Sequence, residues 1–225
     1  MSTGAILFVK EPRPGQVKTR LQSHLSAAEA AELYRAFVLD SAETLARSAA
    51  ERKVIAYAPA GAERAIRELV GDDFDFMAQP ETDLGGRMDQ LMRWSFAQGG
   101  ERTVIVGSDT PSLPAAHINQ ALETLLEFDV VLGPSTDGGY YLVGQKKGNS
   151  AIFEGIEWST GAVLRQTLER LGDLSLGLLP PWYDVDTAPE AGFLKTHLEA
   201  LYRAGGCEGR HSRKVLKKMK LPLPS

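Results

Sequence analysis

Four cations, two prolines and a glycine crowd the run Lys10-Glu11-Pro12-Arg13-Pro14-Gly15-Gln16-Val17-Lys18-Thr19-Arg20. Polyphosphate is the guest such a loop suits. Lys18 supplies a point charge and Arg20 a fork for phosphate oxygens. Gly15 allows close backbone approach, the prolines stiffen the loop, and Lys10 and Thr19 complete the candidate phosphate contacts. Two familiar nucleotide loops are excluded by counting. A Walker A loop ending at Lys18-Thr19 would need glycine at positions 17 and 12, where the chain has Val17 and Pro12. No G-x-G-x-x-G run follows the first apolar segment either.

Acidic residues recur at the ends of apolar runs. Asp109 follows Val104-Ile105-Val106-Gly107-Ser108, so it is the leading candidate ligand for a divalent cation bridging phosphate oxygens, with Ser108 beside it as a nucleotide contact. The same aspartate could instead organise the Ser-Asp-Thr-Pro turn. Asp137-Gly138-Gly139-Tyr140 lies between two apolar runs and reads locally as a hairpin turn. As a substrate site, its glycines admit a ligand, Asp137 accepts from hydroxyls or acts as a base, and Tyr140 offers a ring face. In Trp182-Tyr183-Asp184-Val185-Asp186-Thr187, alternation puts Asp184 and Asp186 on one side of an extended segment, where Asp186 could complete a metal site begun by Asp109. Asp186 or Thr187 also suits the N-cap of the helix starting near Pro189.

Two further groups precede helices: Gly85, Gly86 and Arg87 near a nucleotide, and Trp158, Ser159 and Thr160 as substrate contacts. Helix capping is the simpler role for Ser159 and Thr160. The histidines His24, His117, His197 and His211 form no Cys/His cluster or triad, which leaves zinc and Ser-His-Asp chemistry without support.

Strand-length apolar runs alternate with stretches of helical period, so the expected class is α/β, a three-layer sandwich with a mostly parallel central sheet. Strands are predicted at 5–9, 53–57, 74–78, 103–107, 130–133, 140–143 and 177–179. The helix after the first strand opens on the capping box Ser26-Ala27-Ala28-Glu29 and presents Tyr34, Phe37, Val38, Ser41 and Leu45 on one face. Further helices are predicted at 63–70, 87–98, 114–128, 161–171 and 189–203.

The 225 residues imply one domain over 1–203 followed by a basic tail over 204–225. From Arg203 onward seven Lys/Arg face the single acid Glu208, so this end carries +6 and the rest −10 within a net charge of −4. A solvated tail is the simplest reading, attraction to an acidic partner the sharper one. The acidic body disfavours nucleic acid and anionic membrane as partners. A lone Cys207 forms no internal disulfide, and no apolar run is long enough to span a bilayer, so a cytoplasmic protein is expected.

Together, Lys10-x-Pro12-x-Pro14-Gly15-x-Val17-Lys18-Thr19-Arg20-Leu21, Leu84-Gly85-x-Arg87-Met88, Gly107-Ser108-Asp109-x-Pro111, Gly133-Pro134-x-x-Asp137-Gly138-Gly139-Tyr140 and Asp184-x-Asp186-Thr187 make a recognisable set. It resembles the DUF2064 family, bacterial proteins provisionally assigned as glycosyltransferases in the nucleotide-diphospho-sugar transferase superfamily of GT-A fold. The resemblance spans residues 4–200. It implies a nucleotide-sugar donor, an acceptor it does not identify, and a Mg²⁺ or Mn²⁺ ion at the strand ends. It also implies phosphate contacts from Lys10, Lys18 and Arg20, and places Asp109 at the DxD position, of which this chain keeps only one acid. Sugar transfer is the main expectation. Nucleotidylyl transfer to a phosphorylated small molecule, with release of pyrophosphate, is the alternative, and a non-catalytic nucleotide-binding protein is a third reading. Neither the sugar, the acceptor nor the oligomeric state follows from the sequence.

Overall fold

A computed structural model describes residues 2–222; the last three residues of the basic segment lie outside them. Seven strands form one mixed sheet: β1 (Thr3–Lys10), β2 (Arg52–Ala58), β3 (Asp75–Ala78), β4 (Arg102–Gly107), β5 (Val130–Pro134), β6 (Tyr140–Gln145) and β7 (Leu176–Leu178). Their order is β3-β2-β1-β4-β6-β5-β7. Only β6 runs against its neighbours β4 and β5. The expected class is therefore the observed one, a mostly parallel sheet flanked by helices. The central residues of β1, β2, β4 and β5 are buried, as continuous apolar runs between two helical layers must be.

The described residues form seven α-helices, most of them flanking the sheet: α1 (Ala27–Arg47), α2 (Glu63–Val70), α3 (Leu84–Ala97), α4 (Ala115–Thr124), α5 (Val163–Glu169), α6 (Ala188–Arg203) and α7 (Arg210–Leu216). One core layer joins Leu7 and Val106 to Phe37 and Leu45 of α1, Ile118 of α4 and Leu194 of α6. The opposite layer joins Ile6 and Ile105 to Met88 and Leu91 of α3. The capping box forms as expected: the Ser26 hydroxyl accepts from the Glu29 amide, and the Glu29 carboxylate accepts from the Ser26 amide. Helix α4 stops at Thr124, short of the expected 128, and α3 starts earlier, at Leu84, because Asp83 caps it by accepting from the Gly86 amide at 2.8 Å.

Part of the basic C-terminal segment is folded rather than solvated. Helix α7 lies on α1, where the buried Asp40 carboxylate accepts from the His211 and Ser212 amides. Asp40 thereby satisfies helix-start donors that Gly209, the N-cap, has no side chain to reach. Glu43 pairs with Arg210 and His211 beside it.

Candidate active site

The chain leaves β1 at Lys10 and returns through a short 3-10 turn, Thr19–Ser23, into α1. Gly15 takes φ 78°, the left-handed region that glycine enters without a Cβ penalty. Lys18 takes φ 47°, uncommon for a residue with a side chain. Its side chain points inward, only 4% exposed, with the ammonium over the Tyr34 and Phe37 rings at 5.9 and 5.6 Å. Lys18 Nζ lies 2.6 Å from Asp109 Oδ1 and 2.8 Å from Asp186 Oδ1. Arg20 approaches Asp186 from solvent at 3.5 Å. The sequence motifs at 18, 109 and 186 thus converge on one ammonium.

Burial alone would lower the Lys18 pKa, but the fields of Asp109 and Asp186 outweigh it and hold the ammonium above its ordinary value. For Asp186 burial acts the other way, and Lys18 again prevails, keeping this carboxyl below the usual range. Asp186 is further fixed through its backbone. The Glu190 carboxylate accepts from the Asp186 and Thr187 amides at 2.7 Å each, while Thr187 is the N-cap of α6.

Asp184 lies deeper. Burial first, and then the charges of Asp137, Asp109 and Asp186, push its carboxyl up to about 7, against the hydrogen bond it accepts from the Ser135 hydroxyl at 2.7 Å. Four carboxylates therefore share the C-terminal edge of the sheet. Asp109 and Asp186 meet on the Lys18 ammonium and offer hard oxygen donors of the kind Mg²⁺ or Mn²⁺ takes, whereas Asp184 is engaged with Ser135 and does not close a three-carboxylate cluster with them.

Tyr34 was legible in the sequence only as a member of the apolar face of α1. Its buried hydroxyl accepts from the Lys10 amide at 3.0 Å and shares a hydrogen bond with the Ser108 hydroxyl at 2.8 Å. It pins the end of β1 to the end of β4, the two strands that deliver the cationic loop and Asp109. Ser108, expected as a nucleotide contact, is buried against Tyr34, whereas the Lys10 and Thr19 side chains are exposed.

The remaining motifs make contacts of their own. Asp137 and the two glycines form the β5–β6 hairpin turn, where Asp137 Oδ1 accepts from the Gly139 amide at 2.9 Å. Gly138, at φ 91°, lies so close to Gly161 that a Cβ would strike the Gly161 carbonyl. The Leu164 amide donates to the Gly138 carbonyl at 2.9 Å. Trp158 covers Gly85, whose Cβ would stand 2.7 Å from the indole, and meets Tyr140 edge-on at 6.4 Å. Arg87 donates to the Thr82 carbonyl and reaches Gln79 at 3.4 Å. The Gln79 carboxamide donates to the Val9 and Ala56 carbonyls. Gly85 and Gly138 are thus needed where these loops touch. Ser159 takes φ 64°, and Thr160 accepts from the Ala162 amide while donating to the Glu157 carbonyl. Ser159 and Thr160 are exposed beside these contacts, and Gly86 is half-buried against Thr82.

Among the described residues no helix is long and apolar enough to cross a membrane. The profile of DUF2064, a family described as uncharacterized proteins conserved in bacteria, matches residues 41–160. The fold also superposes on a crystal structure from Desulfovibrio desulfuricans G20, provisionally named a nucleotide-diphospho-sugar transferase. The TM-score is 0.88 at 35% identity, over 97% of this chain and 95% of that one. The 2-phospho-L-lactate guanylyltransferase of Methanothermobacter thermautotrophicus is 27% identical across 99% of this chain and 93% of its own length. A cytidylyltransferase from Leptospira borgpetersenii, 11% identical, shares the fold at a TM-score of 0.57 over 99% of both chains. The fold is that of nucleotide-binding transferases.

Proposed function

The chain belongs to the DUF2064 family, and on that premise we propose that it is a nucleotidylyltransferase, joining a nucleoside monophosphate to a phosphorylated small molecule. The observation that carries this reading is the cationic β1 loop folded onto Asp109 and Asp186, in a chain similar over nearly its whole length to a guanylyltransferase. Sugar transfer, the expectation from the sequence, becomes the second reading; what favours it is the provisional name of the Desulfovibrio relative.

In nucleotidylyl transfer a phosphate oxygen of the acceptor attacks the α-phosphorus of a nucleoside triphosphate, the bond from that phosphorus to the β-bridging oxygen breaks, and pyrophosphate leaves with the electron pair. Lys18, Arg20 and Lys10 neutralise charge on the triphosphate and on the departing pyrophosphate. Asp109 and Asp186 would hold Mg²⁺ or Mn²⁺, which would supply Lewis-acid stabilisation of the phosphoryl oxygens. Gly85 to Arg87 and the wall of Tyr140 and Trp158, with Ser159 and Thr160 at its rim, bound the space for base and acceptor. A phosphorylated acceptor is already anionic and needs no proton removed, so Asp137 shapes the hairpin turn instead of acting as a base. A sugar acceptor's hydroxyl would need one.

The test is to incubate the protein with each nucleoside triphosphate, Mg²⁺ and a panel of phosphorylated hydroxy acids, 2-phospho-L-lactate among them, and to measure pyrophosphate. Pyrophosphate formed only with both substrates supports the reading. Nucleoside diphosphate released from a nucleotide sugar supports the second reading.

A further inference from the structure

We propose that Lys18 is a resident counter-ion that competes with the divalent cation for Asp109 and Asp186, so that the metal binds tightly only after a polyphosphate has drawn the lysine away. This rests on reading the site as one that holds a nucleotide and a metal.

Lys18 Nζ lies within 2.8 Å of one oxygen from each carboxylate. A divalent cation on those same oxygens would sit about 2.0–2.6 Å from them, in the place of the ammonium, and two cations cannot share it. The lysine is held there by more than charge. Its ammonium lies over the Tyr34 and Phe37 rings, its side chain is buried, and its backbone adopts the left-handed region. Asp109 and Asp186 are 45% and 36% exposed, so their outer sides stay open to an arriving ion. Arg20, 67% exposed, has no comparable hold on either carboxylate.

Exchange therefore requires a new partner for Lys18, and phosphate oxygens of a nucleotide entering the same loop provide one. Linkage makes the effect reciprocal: a ligand that removes Lys18 from the carboxylates raises metal affinity, and bound metal frees Lys18 for phosphate. The loop thereby orders binding, since metal alone meets an occupied site.

Mn²⁺ titrated calorimetrically into the full chain without nucleotide provides the test, comparing wild type, Lys18→Met and Asp109→Ala. Lys18→Met, uncharged and of similar length, is expected to bind Mn²⁺ at least about tenfold more tightly than wild type, and Asp109→Ala to lose binding. A second measurement avoids the variant. In the wild-type protein, saturating Mn²⁺ should increase acetylation of Lys18 by an amine-reactive ester, read by peptide mass spectrometry. Equal or weaker Mn²⁺ binding by Lys18→Met, or Lys18 acetylation indifferent to Mn²⁺, overturns the competition. If Asp109→Ala still abolishes Mn²⁺ binding in that case, the metal site stands without it. If no form binds Mn²⁺, the metal site and the competition fall together.

Discussion

Replacing Tyr34 by phenylalanine removes one oxygen and, with it, the link between the ends of β1 and β4. Two groups lose a partner, the Lys10 amide and the buried Ser108 hydroxyl. Leaving a buried donor unpaired costs about 1–3 kcal/mol, and a net hydrogen bond contributes about 0.5–1.5 kcal/mol. Water reaches Lys10 more easily than Ser108, which is 4% exposed, so the expected loss is about 2 kcal/mol, in the middle of these ranges. For a chain of this length that corresponds to about 4–8 °C in Tm. Urea denaturation of wild type, Tyr34→Phe, Ser108→Ala and the double variant forms a complete cycle. Because the two hydroxyls are each other's partners, the double variant should lose less than the sum of the single losses. The Tyr34→Phe protein should also bind a nucleoside triphosphate more weakly, since the loop and Asp109 are no longer held at a fixed separation. A loss below about 0.5 kcal/mol, inside the range of ordinary surface changes, or strict additivity in the cycle, would refute the linking role.

Gly138→Ala should destabilise the protein by about 3 kcal/mol, the sum of left-handed backbone strain and overpacking, because the new Cβ meets the Gly161 carbonyl at φ 91°; chemical denaturation checks it. Asp137→Asn should leave pyrophosphate-releasing turnover within about threefold of wild type, whereas a loss of 10²-fold or more, the usual worth of a general base, would indicate sugar-acceptor chemistry. Burial raises the Glu43 carboxyl, but the His211 and Arg210 hydrogen bonds prevail and hold it below its ordinary 4.5. A carboxyl lowered on folding stabilises above its unfolded value and ceases to do so as pH falls through its folded value. The α7 seat should therefore weaken below about pH 4.5, and urea midpoints should fall between pH 6 and pH 3 more in wild type than in Glu43→Gln.

Much of this fold was legible because its signals are local. Apolar runs bounded by turn residues located all seven strands, and the Ser26–Glu29 box located the start of α1. The predicted limits of the second helix, 63–70, are those of α2. Helix α7 was not legible: its short run RHSRKVL lies within a basic segment and carries little apolar period, and what seats it is Asp40, contributed by α1. The candidate site divides the same way. Residue type and strand-end position singled out Lys18, Asp109 and Asp186, but their meeting on one ammonium depends on where α6 returns to the sheet edge. Tyr34 carried no polar signal, since a tyrosine in an apolar helical stripe reads as core. Gly85 and Gly138 read as ligand-approach positions, yet tertiary contact already uses the space beside both, against Trp158 and Gly161.

The most direct test of the central claim is product identity with purified protein and Mg²⁺, resolving nucleoside diphosphate from pyrophosphate by anion-exchange chromatography. Pyrophosphate together with a nucleotidylated, phosphorylated acceptor, both lost in Asp109→Ala, is the predicted result. Nucleoside diphosphate from a nucleotide sugar, with no pyrophosphate from any triphosphate, would contradict nucleotidylyl transfer.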